Sequence, residues 1–100
     1  MISVKTTKEN GFYKKIAILG HAMYADYGED IVCSAASSIV TTTVNGILSL
    51  DKEALTYKVD KKGLTIDICK QDKIVDTLIG NMISLLKELE ENYKDNIEIK

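Results

Sequence analysis

Two residues in this chain of 100 carry the chemistry of a nucleophile and its base: Cys33 and the sole histidine, His21. A thiol attacks as its thiolate, and an imidazole titrates near neutral pH, so it can take the thiol proton and later return it. The spacing between the two is uninformative alone; their places in the chain are not. His21 follows Gly20 at the end of an alternating apolar segment, whereas Cys33 falls where a helical pattern opens. A strand end and a helix start commonly meet at one edge of a sheet. Eleven intervening residues are enough to bring imidazole and thiol within hydrogen-bond reach.

Three further groups of residues belong to the same constellation. Asp30 sits where a helix N-cap belongs, which would make Cys33 the third helical residue, among free first-turn amides that favour an anion. Asp30 equally has the chemistry to orient His21, and the sequence leaves both roles open. Ser37 follows Cys33 by one helical turn on the same side and has a hydroxyl for substrate or water. Between Gly20 and Glu29 there is no sustained period, so Gly20, Tyr24, Tyr27 and Gly28 are read as a substrate loop, long enough to act as a lid. Cys69, at the end of a later strand, is expected to be a packing residue. His21, Cys33 and Cys69 lack the paired spacing of a zinc site, so neither a metal nor any other cofactor is expected.

These residues need a scaffold, and the periodicities supply one. Ile2 to Thr6 alternate, Glu9-Asn10-Gly11 carries turn chemistry, and Phe12 to Leu19 reads as a returning strand. From Asp30 to about Leu50 a helical pattern places Ile31, Val32, Ala35, Ala36, Ile39, Val40, Val44, Ile47 and Leu48 on one face. Its opposite face is Ser34, Ser37, Ser38, Thr41, Thr42 and Asn45. Small polar residues let another backbone approach closely, so this face suits a loop, a substrate or a partner subunit. A second hairpin, Leu55 to Val59 and Leu64 to Cys69, turns at Asp60-Lys61-Lys62-Gly63. A second helix opens near Asp72 with Ile74, Val75, Leu78, Ile79, Met82, Ile83, Leu86, Leu89 and Tyr93 on its apolar side, and Ile97 and Ile99 form a last edge strand. The order ββα-ββα-β predicts an α+β two-layer sandwich, mainly antiparallel, with both helices on one face.

Composition narrows the function. The apolar share of 45% and charged share of 28% are those of a globular protein, and 100 residues make one domain, 1–100. Thirteen cations balance fifteen anions to a net −2, and the cations are scattered, which argues against direct nucleic-acid binding. All thirteen are Lys. Chemistry that requires a guanidinium fork, such as that of a phosphatase with an Arg beyond its nucleophilic Cys, is excluded. No leader is visible and no window reads as a membrane span, so a cytoplasmic protein with reduced thiols and no membrane contact is expected.

Gly20-His21-Ala22, followed by Tyr27-Gly28-Glu29-Asp30-Ile31-Val32-Cys33-Ser34-Ala35-Ala36-Ser37-Ser38, resembles the ribosomal-processing cysteine protease family, Prp. The family pattern is G-H-A at a strand end, a loop, then G-x-D-I-V-C-x-x-x-S opening a helix. The resemblance extends to Thr43-Val44-Asn45-Gly46-Ile47, to the acidic helix ending near Glu90-Glu91-Asn92-Tyr93, and to overall length. It implies a homodimeric endopeptidase that removes an N-terminal extension from a large-subunit ribosomal protein. It also implies His21 as base, Cys33 as nucleophile, and Asp30 and Ser37 as supporting positions; Met23 and Tyr24 are bulkier than is typical of the family. The rival reading is a non-enzymatic ribosome-assembly or binding protein that uses the small polar helix face as its contact surface. A thiol redox sensor would need a resolving cysteine that nothing in the sequence places nearby.

Overall fold

The structure is a computed structural model that describes residues 1–20 and 27–100, with side-chain surroundings for 1–20 and 31–100. Seven elements follow in the expected order: β1 (Ile2–Glu9), β2 (Phe12–Leu19), α1 (Tyr27–Leu50), β3 (Leu55–Asp60), β4 (Gly63–Ile68), α2 (Lys73–Asn92) and β5 (Ile97–Ile99). The strands form one sheet in the order β3-β4-β2-β1-β5. Every pairing is antiparallel except that of β5, which runs parallel to β1.

Local chemistry sets each turn. Asn10 and Gly11 both have positive φ, 54° and 81°, and join the paired residues Glu9 and Phe12. That is the two-residue hairpin loop whose twist matches its strands. At the second hairpin the Asp60 carboxylate accepts from the amides of Lys62 (2.8 Å) and Gly63 (3.3 Å), closing an Asx turn. Asp72 caps α2 as expected, with Oδ1 accepting from Ile74 N at 2.8 Å and Val75 N at 3.1 Å. Between Thr7 and Lys8 the register shifts, because β2 carries one extra residue there, Lys14, as a bulge.

The core lies between the sheet and the helix pair. Ile2, Val4, Ile16, Ile18, Ile66 and Ile68 alternate inward along β1, β2 and β4, and all are buried. They meet Val32, Ala36, Val40, Val44 and Ile47 of α1 and Val75, Ile79, Met82, Ile83 and Leu86 of α2. Each such aliphatic side chain contributes roughly 1.5–3 kcal/mol by leaving water. Tyr13 N donates to Asp76 Oδ1 at 2.7 Å and Ile99 N donates to Glu90 Oε2 at 2.8 Å, which pins α2 to two strands.

Four expectations need correction. The first helix starts at Tyr27, not after Asp30, so Tyr27 and Gly28 belong to a helical turn rather than to the substrate loop. A glycine in a first turn has an amide with no intrahelical acceptor anyway, and three non-apolar residues there hid the period from the sequence. Asp30 is therefore an internal helix residue, not the N-cap. Ile74, expected on the apolar side of α2, is 64% exposed, because in the first turn it is Val75 and not Ile74 that faces the core. Finally, Ile31–Leu50 is uncharged, and by length and composition long and apolar enough to cross a membrane. Its buried stripe is nonetheless occupied by α2 and the sheet.

Candidate active site

Cys33 is the seventh residue of α1, flanked by buried Val32 and exposed Ser34 and half-buried itself. It packs against the core on one side and opens on the other into a cleft of about 180 Å³ between α1 and the sheet. The expectation that the thiol would sit on the border between the apolar and the small polar faces is met. Its expected third position is not. Free amides are confined to the first four helical residues, so Cys33 lies one turn beyond them.

Ala36, Ser37, Val40 and Thr41 continue the helix wall of the cleft, and Ile18 and Ile2 form its floor. Ser37 is exposed and shares the cleft with Cys33, as its one-turn offset requires. None of the described lining residues is charged. A substrate here meets one thiol, two hydroxyls and an apolar surface.

Ile18 also ties the cleft to the end of β2. Two residues further on, Gly20 has φ +89°, a conformation that suits glycine, and its amide donates to Lys62 O at 3.0 Å. A Cβ built there would run into the Met1 carbonyl. The backbone leading to His21 thus leaves the sheet at a fixed point beside the cleft that holds Cys33. His21 itself, and Tyr24, lie outside the described residues, as do the side chains of Tyr27 and Asp30.

Cys69 departs from expectation: it is exposed just past β4, its Sγ 3.8 Å from Asp67 O, and does not pack in the core. Sequence reasoning also missed Ile2, Val59 and Leu64 as walls of the cleft. For Val59 a signal existed. Leu55, Tyr57 and Val59 alternate apolar along an edge strand, yet Tyr57 and Val59 stay 54% and 67% exposed.

Fold and cleft together define a small α+β domain that presents a single thiol, from the side of a helix, to an apolar groove beside a strand end. The family model for Cysteine protease Prp matches residues 1–98. The ribosomal processing cysteine protease Prp of Staphylococcus aureus is 32% identical over 103 residues, covering 99% of this chain and 97% of the relative. Its Bacillus subtilis counterpart is 28% identical over 88 residues, covering 80% and 78%. Crystal structures of the essential S. aureus protease superpose with a TM-score of 0.88. One, with a substrate peptide, is 28% identical, and another, with a covalently linked product peptide, is 29% identical; each covers 100% of this chain and 98% of the other. The chain belongs to the Prp family of ribosomal processing cysteine proteases.

Proposed function

We propose that this protein is a thiol endopeptidase that uses Cys33 as nucleophile and His21 as general base and acid. Its substrate is the N-terminal extension of a large-subunit ribosomal protein, removed during ribosome maturation. The observation that carries the reading is the placement of Cys33. Of the two cysteines, it is the one that lines the apolar cleft, next to the strand end from which His21 follows. The peptide complexes of the S. aureus relative support the substrate class, and its covalently linked product peptide supports a covalent route.

In this mechanism His21 takes the Cys33 proton as Sγ attacks the scissile carbonyl carbon, forming a C–S bond and an oxyanion. The free amides of the first turn of α1 are the proposed donors to that oxyanion, because the amide of Cys33 itself falls within the helical ladder. Collapse breaks the C–N bond, and the imidazolium of His21 protonates the departing amine. Water then loses a proton to His21 and attacks the thioester, releasing the carboxylate product and the thiol. Ser37 is placed to hydrogen-bond substrate or water within the cleft. Asp30, no longer a cap, keeps its place in the family motif as a candidate to orient His21. The homodimer and the cytoplasmic location are part of the same proposal.

The test is to incubate the protein with the extended ribosomal protein and identify the new N-terminus by mass spectrometry. Cys33→Ala should reduce the cleavage rate by about 10⁴-fold or more, while Cys69→Ala should leave it unchanged. Cleavage retained in Cys33→Ala would end the proposal.

A further inference from the structure

The cleft at Cys33 does not end at the thiol. A second cavity of about 160 Å³ adjoins it, and the two share Val40, Thr41, Val59 and Leu64. Val44, Asn45 and Tyr57 close the far end. The result is one groove between α1 and the edge hairpin. From Cys33 to Asn45 it follows twelve residues of helix, about 18 Å, the span of five or six residues of extended chain.

Each chamber is smaller than the roughly 300 Å³ at which small-molecule sites begin, a size for one amino-acid side chain. The helix residues lining the first centre on position 37 and those lining the second near 42–43, which puts the chambers about 8 Å apart along the axis. Side chains on one face of an extended peptide repeat every second residue, about 6.6 Å. Tyr57 and Val59 explain why the groove is open. Their strand partners Ile66 and Leu64 are buried and half-buried, but they themselves stay largely exposed on the same sheet face.

Resting on the proteolytic reading above, we infer that this groove is an extended substrate track: beyond the residue at Cys33 it seats a second apolar side chain, two residues along the peptide, against Tyr57, Val59 and Val44. These three are specificity-determining residues for a peptide with apolar side chains at alternate positions. Thr41 and Asn45, exposed on the same helix wall, offer polar atoms to the backbone of that peptide. A second copy of the chain fits less well. In a self-complementary contact centred here each groove faces its own image, and two concavities leave each other empty. The groove runs into the cleft of Cys33, and an extended peptide is the convex, narrow occupant that also reaches the thiol.

The probe is the substrate peptide of the S. aureus relative, together with versions in which each apolar side chain in turn is replaced by serine. Affinities are measured with the Cys33→Ala protein, and cleavage with protein carrying Cys33. Two positions, two residues apart, should each lose about tenfold in affinity. Val59→Ser and Tyr57→Ser, both at exposed sites, should weaken the parent peptide similarly through KM with kcat held. They should bind the distally substituted peptide no worse than the unsubstituted protein does, which is coupling in a double-mutant cycle. Losses that simply add, or an absence of any position-specific loss, overturn the track. So does a dimer that Val59→Ser converts to monomer at unchanged peptide affinity, since a second copy is then the occupant. A peptide bound with this coupling but never cut defeats the proteolytic reading and leaves the groove standing.

Discussion

Gly20→Ala is the substitution whose consequence is most fully fixed by the backbone, and Gly11→Ala provides its control. Both glycines have left-handed φ, +89° and +81°, so an alanine at either bears the same conformational penalty, roughly 1–2 kcal/mol. At Gly11 nothing lies within 4 Å of the new methyl group; at Gly20 it meets the Met1 carbonyl, with Met1 C at 3.3 Å and Ile2 Cα at 3.6 Å. The Met1 carbonyl belongs to the same peptide unit as Ile2 N, which donates to Asn96 O at 2.9 Å, so it cannot swing aside without surrendering that bond. Overpacking of this kind adds about 1–3 kcal/mol. The expected totals are therefore about 1–2 kcal/mol for Gly11→Ala and about 2–5 kcal/mol for Gly20→Ala. Urea unfolding of the two variants measures the difference. With a slope near 1.5 kcal/mol/M for a small domain, the midpoints should separate by about 0.7–2 M. Gly20→Ala should also slow cleavage in the folded protein, because the backbone that leads to His21 is displaced, whereas Gly11→Ala should not. Equal midpoints for the two variants would refute the claim that the Met1–Gly20 contact fixes the end of β2.

Asp72→Ala removes the acceptor for two first-turn amides of α2 and should cost about 1 kcal/mol in thermal or urea unfolding, with Asp72→Asn recovering most of it. Asp51 on the surface accepts from Lys70 Nζ at 2.9 Å, and that hydrogen bond holds its carboxyl below the usual value of 3.8. A depressed carboxylate contributes stability above its unfolded pKa, near 3.9, and loses it as the pH falls through the folded value. The difference in melting temperature between the wild-type protein and Asp51→Asn should therefore be small, present at pH 6 and shrinking as the pH falls below about 3.9, as calorimetry would record.

Much of the scaffold was legible because its signals are local. Asn10-Gly11 dictates a tight hairpin by its φ angles, Asp72 opens α2 through its own side chain, and strict alternation fixes which faces of Ile16, Ile18, Ile66 and Ile68 turn inward. What escaped the sequence was decided by less regular stretches or by tertiary neighbours. The start of α1 was misplaced by four residues because Tyr27-Gly28-Glu29-Asp30 shows no apolar period. Ile74 was assigned to the core because its spacing fits, although it is the neighbouring Val75 that turns inward in the first turn of α2. Val59 and Leu64 are neighbours of Cys33 only because β3 and β4 fold back beside α1, a juxtaposition no spacing encodes.

The misplaced helix start alters the chemistry required of the site. With Asp30 as cap, the helix terminus would itself have favoured the thiolate; with Tyr27 as first residue, the Cys33 backbone stands one turn past the free amides and the terminal charge acts on its thiol more weakly. In the proposed mechanism activation then falls to the general base, His21, with less help from the helix terminus. On the described backbone, β2 ends at the Gly20 N–H to Lys62 O bond and α1 begins at Tyr27. The same geometry leaves the face of α1 beyond Cys33 free of capping duties. Ser37, Thr41 and Asn45, small and uncharged, recur there at one-turn intervals along the groove, where Lys or Glu side chains would have filled it.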